Sequence, residues 1–181
     1  IYLTDDELKS LENYDFSQTR LQQVKDLFVF CCYTGLAFKE MSNLKPEHIV
    51  KGFDGNKWIK MNREKTSKPL MIPLLPKALY IISKYQSEEK LLPSISNQRF
   101  NSYLKEIADI VGLKKNLTHH IARKTFASTV LLFNDVPMEI VSELLGHSKI
   151  STTQDYYAKI VNKKLSETMK GLSERLNEKL K

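Results

Sequence analysis

Hydrophobic residues recur every three or four positions along most of the chain, the spacing of helices that pack one face against a core. This spacing predicts helices over residues 19–33, 38–44, 76–85, 97–111, 118–133, 137–145 and 161–180. A capping box, Thr4 with Glu7 three residues later, predicts a further short helix near the start. Because the 19–33 helix becomes apolar on nearly every side, we expect it to lie at the centre of the domain.

The pattern changes between residues 49 and 73, where short apolar runs replace the helical spacing. Asp54 and Gly55 form a hairpin turn signal between apolar runs at 49–50 and 58–59. A third run at 70–72 precedes a proline. We therefore predict a fold that is mainly α with a small antiparallel β-sheet of two or three strands.

Composition and charge narrow the class of protein. The chain has 181 residues, 41% of them hydrophobic and 27% charged, which suits one globular domain and excludes a disordered or collagen-like chain. Lys and Arg outnumber Asp and Glu by 28 to 21, so the net charge of +7 favours a polyanionic partner. No run approaches the roughly 20 apolar residues of a bilayer span. The two cysteines, Cys31 and Cys32, are adjacent in an apolar stretch, which favours buried reduced thiols over a structural disulfide.

Five residues could act together on one chemical group. His120 and Arg123 stand at i and i+3, on one face of a predicted helix, although a structural histidine beside a surface arginine has the same spacing. His147 follows a glycine helix stop, and Tyr156 comes nine residues later. Lys65 lies at the predicted strand edge.

These side-chain types suit attack on a phosphodiester. An arginine fork matches two phosphate oxygens, and histidines can donate hydrogen bonds to the others. Tyrosine, with a pKa of roughly 10, needs such a cationic site to act as a nucleophile, and lysine can protonate a leaving alkoxide. The sequence has no carboxylate cluster for magnesium, no glycine-rich phosphate loop and no zinc-ligand spacing, so we expect no metal and no cofactor.

Four motifs occur in an order that resembles the tyrosine recombinase (phage integrase) family. The first motif is Tyr-Thr-Gly-Leu-Ala-Phe-Lys-Glu at 33–40, and the second is Leu-Thr-His-His-Ile-Ala-Arg-Lys-Thr-Phe-Ala at 117–127. The histidine motif is Leu-Leu-Gly-His at 144–147, and the nucleophile motif is Ser-Thr-Thr-Gln-Asp-Tyr at 151–156. The residues of these motifs look closest to those of Bacteroides-type mobile-element integrases.

The resemblance implies a site-specific DNA recombinase that supports DNA integration and recombination. Tyr156 would form a 3′-phosphotyrosine bond to DNA, while Arg123 and His120 grip the scissile phosphate. His147 would donate a further hydrogen bond, and Lys65 would protonate the leaving 5′ hydroxyl. Tyr157, directly beside Tyr156, remains an alternative nucleophile.

The resemblance also carries expectations about organisation and partners. Residues 1–181 would be the C-terminal catalytic domain, with the family's N-terminal DNA-binding domain absent from this chain. The partner would be double-stranded DNA, bound by a homo-oligomer, a tetramer, in the bacterial cytoplasm, with no membrane and no small-molecule cofactor. The apolar stripe of the last helix either packs on its own domain or docks on a neighbouring protomer.

One departure from the family supports a second hypothesis. Ala37 stands where the first motif normally has an arginine, and loss of one phosphate-gripping group costs about 2–4 kcal/mol if nothing replaces it. Lys39 and Arg63 are candidates for the missing cation. Without a replacement, the chain would be a non-catalytic DNA-binding module with a recombinase-like fold. A type IB topoisomerase, which has similar chemistry, is a third interpretation.

Overall fold

The computed structural model describes residues 1–62, 69–147 and 149–180. Its elements, in chain order, are α1 (Asp5–Glu12), α2 (Thr19–Thr34), α3 (Phe38–Ser42), β1 (Ile49–Lys51), β2 (Lys57–Asn62), β3 (Pro69–Pro73), α4 (Pro76–Tyr85), α5 (Asn97–Val111), α6 (His119–Thr125), α7 (Met138–Leu145) and α8 (Ile150–Lys179). This order confirms the predicted fold class of a mainly helical domain with a small antiparallel sheet.

Helix α2 lies at the centre of the domain, as its sequence predicts. It packs against α1, α4, α5 and α6, and most of its second half is buried. Cys31 and Cys32 are buried free thiols in this helix, and burial raises the pKa of both. Gly35 ends the helix in the left-handed conformation, with φ of 71°.

The sheet has the strand order β1-β2-β3, with both pairs antiparallel. Ile59 in the middle strand lies opposite Ile49 on one side and Ile72 on the other. The alternate residues of β2 and β3 are buried, so one face of the sheet joins the core. The Asp54–Gly55 turn predicted from sequence connects β1 to β2.

The predicted helix over 118–133 is wrong in its second half. Helix α6 ends at Thr125 and continues as a π-helical segment, Phe126–Leu131, and a 3-10 turn, Leu132–Asn134. Leu3, which is fully buried, donates its N–H to the Thr125 hydroxyl oxygen and accepts a hydrogen bond from the Thr129 hydroxyl. These long-range contacts hold the N-terminal segment against the end of α6, where a non-α turn accommodates them.

The last helix begins at Ile150 and not at residue 161, so the predicted start of this helix is also wrong. Its first turns pack on α7 and the π-helical segment. Because these turns mix polar and aromatic residues, they do not show the simple apolar spacing from which the helix is predicted. Ile160 is buried, and Lys164 bonds to Asp135 at 2.6 Å. Beyond that point the helix projects from the domain, and nearly all of its residues are exposed. None of the described helices is both long enough and apolar enough to cross a membrane.

Candidate active site

Arg123 joins the ends of two helices to α6. Its Nη1 donates to the carbonyl oxygen of Gly35 at 2.6 Å, and its Nη2 donates to the carbonyl oxygen of Leu145 at 2.5 Å. Both carbonyls stand at helix C-termini, where the last C=O groups lack helical partners and the helix dipole favours a cation. The guanidinium is therefore oriented by backbone groups from the first and the histidine motifs.

Gly35 is required at this position for two reasons. Its φ of 71° is strained for residues with a side chain, and a Cβ there would lie 2.4 Å from Cδ2 of Phe126. Phe126 directly follows α6, so this close approach brings the end of α2 against the element that carries Arg123. The Gly35 carbonyl thereby comes within reach of the guanidinium.

His120 lies on α6 one turn before Arg123, and its side chain is exposed. The i and i+3 spacing places both residues on one face of the helix. An exposed imidazole beside a backbone-anchored guanidinium can donate to an oxygen of an anion that approaches this face. The structure thus places these two predicted site residues together.

His147 and Tyr156 form a second pair. Their rings are nearly parallel, at 6°, with centroids 6.0 Å apart. His147 Nδ1 lies 2.8 Å from the hydroxyl oxygen of Thr153, a fully buried residue at the start of α8. When the hydroxyl donates to Nδ1, the ring hydrogen resides on Nε2, which makes that nitrogen a hydrogen-bond donor.

The two pairs are connected through the end of α7. Leu145, which accepts from Arg123, is followed by Gly146, which ends α7 with φ of 66°, and then by His147. Arg123, His147 and Tyr156 are therefore linked by one backbone contact, a two-residue chain segment and a ring stack. Tyr157 is also half-buried in α8, where successive residues point about 100° apart.

Other predicted positions fall on the edge of this arrangement or outside it. Lys65 and Arg63 lie outside the described residues. Ala37 directly precedes α3, and its N–H donates to Glu40 Oε1 at 2.8 Å, while Lys39 is exposed on that short helix. Among the described residues, no cluster of three or more His, Cys, Asp or Glu side chains could hold a metal ion.

Sequence reasoning assigned no role to two polar residues that touch the site. Thr153 contacts His147, and its place in the nucleophile motif, three residues before Tyr156, is the signal that could have identified it. His119 is buried, and its Nε2 accepts a hydrogen bond from the N–H of Phe38 at 2.6 Å. Burial, reinforced by the nearby charges of His120 and Arg123, lowers the pKa of His119 to about 4.

The fold is shared with known recombinases. The structure of the XerH site-specific recombinase bound to its palindromic difH substrate aligns with a TM-score of 0.71 at 17% identity, covering 93% of this chain and 52% of that one. The catalytic domain of bacteriophage HP1 integrase aligns with a TM-score of 0.65 at 19% identity, covering 87% and 86%. At these identities the likeness establishes the fold.

Sequence comparison establishes the family. The model of the phage integrase family matches residues 2–163, and the chain belongs to that family. Tyrosine recombinase XerA of Pyrococcus furiosus is 32% identical over an alignment that covers 92% of this chain and 60% of that protein. The aligned part of this chain spans between half and two thirds of the length of four of the curated relatives it matches. The closer resemblance to Bacteroides-type integrases stays a prediction.

Proposed function

We propose that this chain is the catalytic domain of a tyrosine-type site-specific DNA recombinase, an integrase of a mobile element. The observation that carries the proposal is the position of Arg123 between the Gly35 and Leu145 carbonyls, next to the His147–Tyr156 stack. This arrangement joins a fixed cation, hydrogen-bond donors and a tyrosine from motifs more than a hundred residues apart.

In the proposed reaction, the Tyr156 hydroxyl transfers its proton to solvent water, and its oxygen attacks the scissile phosphorus. The bond to the 5′ oxygen breaks, and a 3′-phosphotyrosine bond forms. Lys65 protonates the departing 5′ oxygen. Attack by the 5′ hydroxyl of another strand reverses these bond changes and releases Tyr156, so strand exchange needs neither ATP nor a metal ion.

Arg123, His120 and His147 stabilise the transition state of both steps. Negative charge accumulates on the non-bridging oxygens as the phosphorus becomes five-coordinate, and preorganised cations and donors lower the energy of that state. Two N–H groups of Arg123 are already held by backbone carbonyls, so the guanidinium plane need not reorient when the phosphate arrives.

The proposed partner is double-stranded DNA, bound by a homotetramer in the bacterial cytoplasm. The basic net charge of +7 supports the first part. The projecting end of α8 supports assembly, because Leu165, Met169, Leu172 and Leu176 form an exposed stripe on an otherwise polar helix. We propose that this stripe docks on a neighbouring protomer.

The second candidate is a non-catalytic DNA-binding module, favoured by Ala37 in place of the first-motif arginine. Retention of a histidine–tyrosine stack beside an anchored arginine argues against this module, since binding alone does not require a nucleophile.

A plasmid relaxation assay distinguishes the recombinase from a topoisomerase, because a topoisomerase would relax supercoiled DNA that lacks any specific recombination site.

The test is covalent trapping on nicked duplex DNA that carries the recombination site, performed with the full-length protein in excess chelator. Wild type should form a protein–DNA adduct that Tyr156→Phe loses and Tyr157→Phe retains. Loss only in Tyr157→Phe would keep the enzyme and move the nucleophile by one residue. Tight binding to the site without any wild-type adduct would instead support the non-catalytic module.

A further inference from the structure

Residues 35–38 form a loop that runs from the end of α2 into the start of α3. We refer to it as the first-motif loop. Every backbone N–H group of this loop donates a hydrogen bond. The four hydrogen bonds run from Gly35 N–H to Cys31 O at 2.8 Å, from Leu36 N–H to Thr34 Oγ1 at 3.4 Å, from Ala37 N–H to Glu40 Oε1 at 2.8 Å, and from Phe38 N–H to His119 Nε2 at 2.6 Å. Only in the last of these bonds does the acceptor lie in a distant part of the chain.

Two side chains of α6 hold the two ends of this loop. Arg123 donates to the carbonyl oxygen of Gly35, and His119 accepts from the N–H of Phe38. His119 and Arg123 are at i and i+4, so they are neighbours on one face of the helix. The helix that carries His120 and Arg123 therefore grips the loop at two points.

The environment of His119 supports a neutral, fixed imidazole. An imidazolium has no acceptor nitrogen, so the bond from Phe38 requires a neutral ring with its hydrogen on Nδ1. The Phe38 ring packs edge-on against His119 at 5.9 Å. The backbone N–H of His119 donates to Asn101 Oδ1 at 3.1 Å, which ties the start of α6 to α5.

We propose that His119 is a positioning residue for DNA cleavage, which holds the first-motif loop so that the Gly35 carbonyl orients Arg123 toward the scissile phosphate. This inference rests on the proposed function. With alanine at position 37, the loop presents no guanidinium of its own, so it serves the site through the position of its backbone. A shift of a catalytic group by about 1 Å can slow a reaction by roughly a hundredfold.

Two substitutions separate the hydrogen bond from the packing. His119→Leu keeps a side chain that can fill the buried position and removes the acceptor, whereas His119→Gln offers an amide oxygen near the position of Nε2. We expect His119→Leu to slow single-turnover adduct formation about tenfold or more, with DNA affinity within about twofold of wild type. His119→Gln should recover the rate to within about threefold, because a neutral acceptor is restored.

His48 provides a matched control on a different element. Its Nδ1 also accepts a backbone hydrogen bond, from Lys45 N–H at 2.9 Å, in the turn before β1. His48→Leu removes the same kind of bond without touching α6, so adduct formation should match wild type. Amide hydrogen exchange at Phe38 should quicken in His119→Leu and stay slow in His48→Leu.

The outcomes separate this inference from the proposed function. A wild-type protein that binds the site and forms no adduct refutes the recombinase, whatever His119 does. Wild-type cleavage with an unchanged rate in His119→Leu overturns the positioning role alone. Equal slowing in His119→Leu and His119→Gln, matched by an equal loss of Tm, also overturns it, because it would show a purely structural side chain.

Discussion

The guanidinium of Arg123 donates a 2.6 Å hydrogen bond to the carbonyl oxygen of Gly35, the residue at which α2 ends. The two residues are 88 positions apart in the chain. Their contact makes the central helix of the domain part of the candidate site, because any movement at its C-terminus moves an anchor of the guanidinium that we propose to bind the scissile phosphate.

We predict that Arg123→Lys abolishes most cleavage. A lysine ammonium cannot bridge the Gly35 and Leu145 carbonyls while also presenting a fork to phosphate, so adduct formation should slow by about a hundredfold or more. The rate of adduct formation on the nicked DNA substrate measures this loss. Arg99→Lys, an exposed position on α5, is the control, and a variant at Arg123 that cleaves as fast as this control would refute the role of the fork.

We predict that Gly35→Ala destabilises the domain more than Gly112→Ala. Both glycines have positive φ, of 71° and 83°, which costs an alanine about 1–2 kcal/mol. A Cβ at position 35 would also collide with the Phe126 ring, whereas nothing lies within 4 Å of one at position 112. Overpacking should therefore add about 1–3 kcal/mol at Gly35, measured as the free energy of unfolding in urea. Equal losses would mean that Phe126 yields without cost.

We predict that Thr153→Val slows cleavage while the fold is retained. The substitution removes the hydroxyl beside His147 Nδ1, which is one of the contacts that set the tautomer and orientation of that ring, so we expect about a tenfold loss of cleavage rate. Thr152→Val changes an exposed neighbour in the same turn and should cleave normally. If both variants cleave alike, His147 is oriented by other contacts.

His119 predicts a pH dependence of stability. Its pKa falls from an ordinary 6.5 to about 4 on folding, chiefly through burial and then through the charges of His120 and Arg123. Between pH 4 and pH 6.5 the folded state therefore binds fewer protons than the unfolded chain. The contribution of the neutral His119 ring to stability is complete above pH 6.5 and is lost as the pH falls toward 4.

The size of this effect can be measured by comparison with His119→Gln, which does not titrate. Between pH 7 and pH 4 the free energy of unfolding of wild type should fall by up to roughly 3 kcal/mol more than that of the variant. Parallel curves for the two proteins would show that His119 is protonated as easily in the folded state as in the unfolded chain.

The exposed end of α8 predicts an effect on assembly. Replacing Met169 and Leu176 with glutamate places two charges in the apolar stripe and should reduce the size of the complex on DNA, measured by native mass spectrometry. The control replaces Ser173 and Asn177, which are exposed on the same helix, with glutamate. It adds the same charge outside the stripe. Unchanged assembly in the first variant would mean that the stripe does not form the contact between protomers.

Local patterns predicted most elements of this domain. The Thr4–Glu7 capping box, the glycine stop before His147 and the hairpin turn at 54–55 each depend on residues a few positions apart, and each is present. The motifs likewise identified Arg123, His120, His147 and Tyr156 as candidates. Position 65 lies outside the described residues, so the role of that lysine stays a prediction.

Contacts between distant segments decided what the patterns missed. The α6 helix gives way to a π-helical segment where Leu3 bonds to Thr125 and Thr129, over 120 positions away. Helix α8 begins early because its first turns pack on other elements. The sequence alone determined which residues could carry the chemistry, since side-chain type and helical spacing are local properties. Only the tertiary structure showed that His119 and Arg123 hold one loop from one helix face, because those bonds join groups 81 and 88 residues apart.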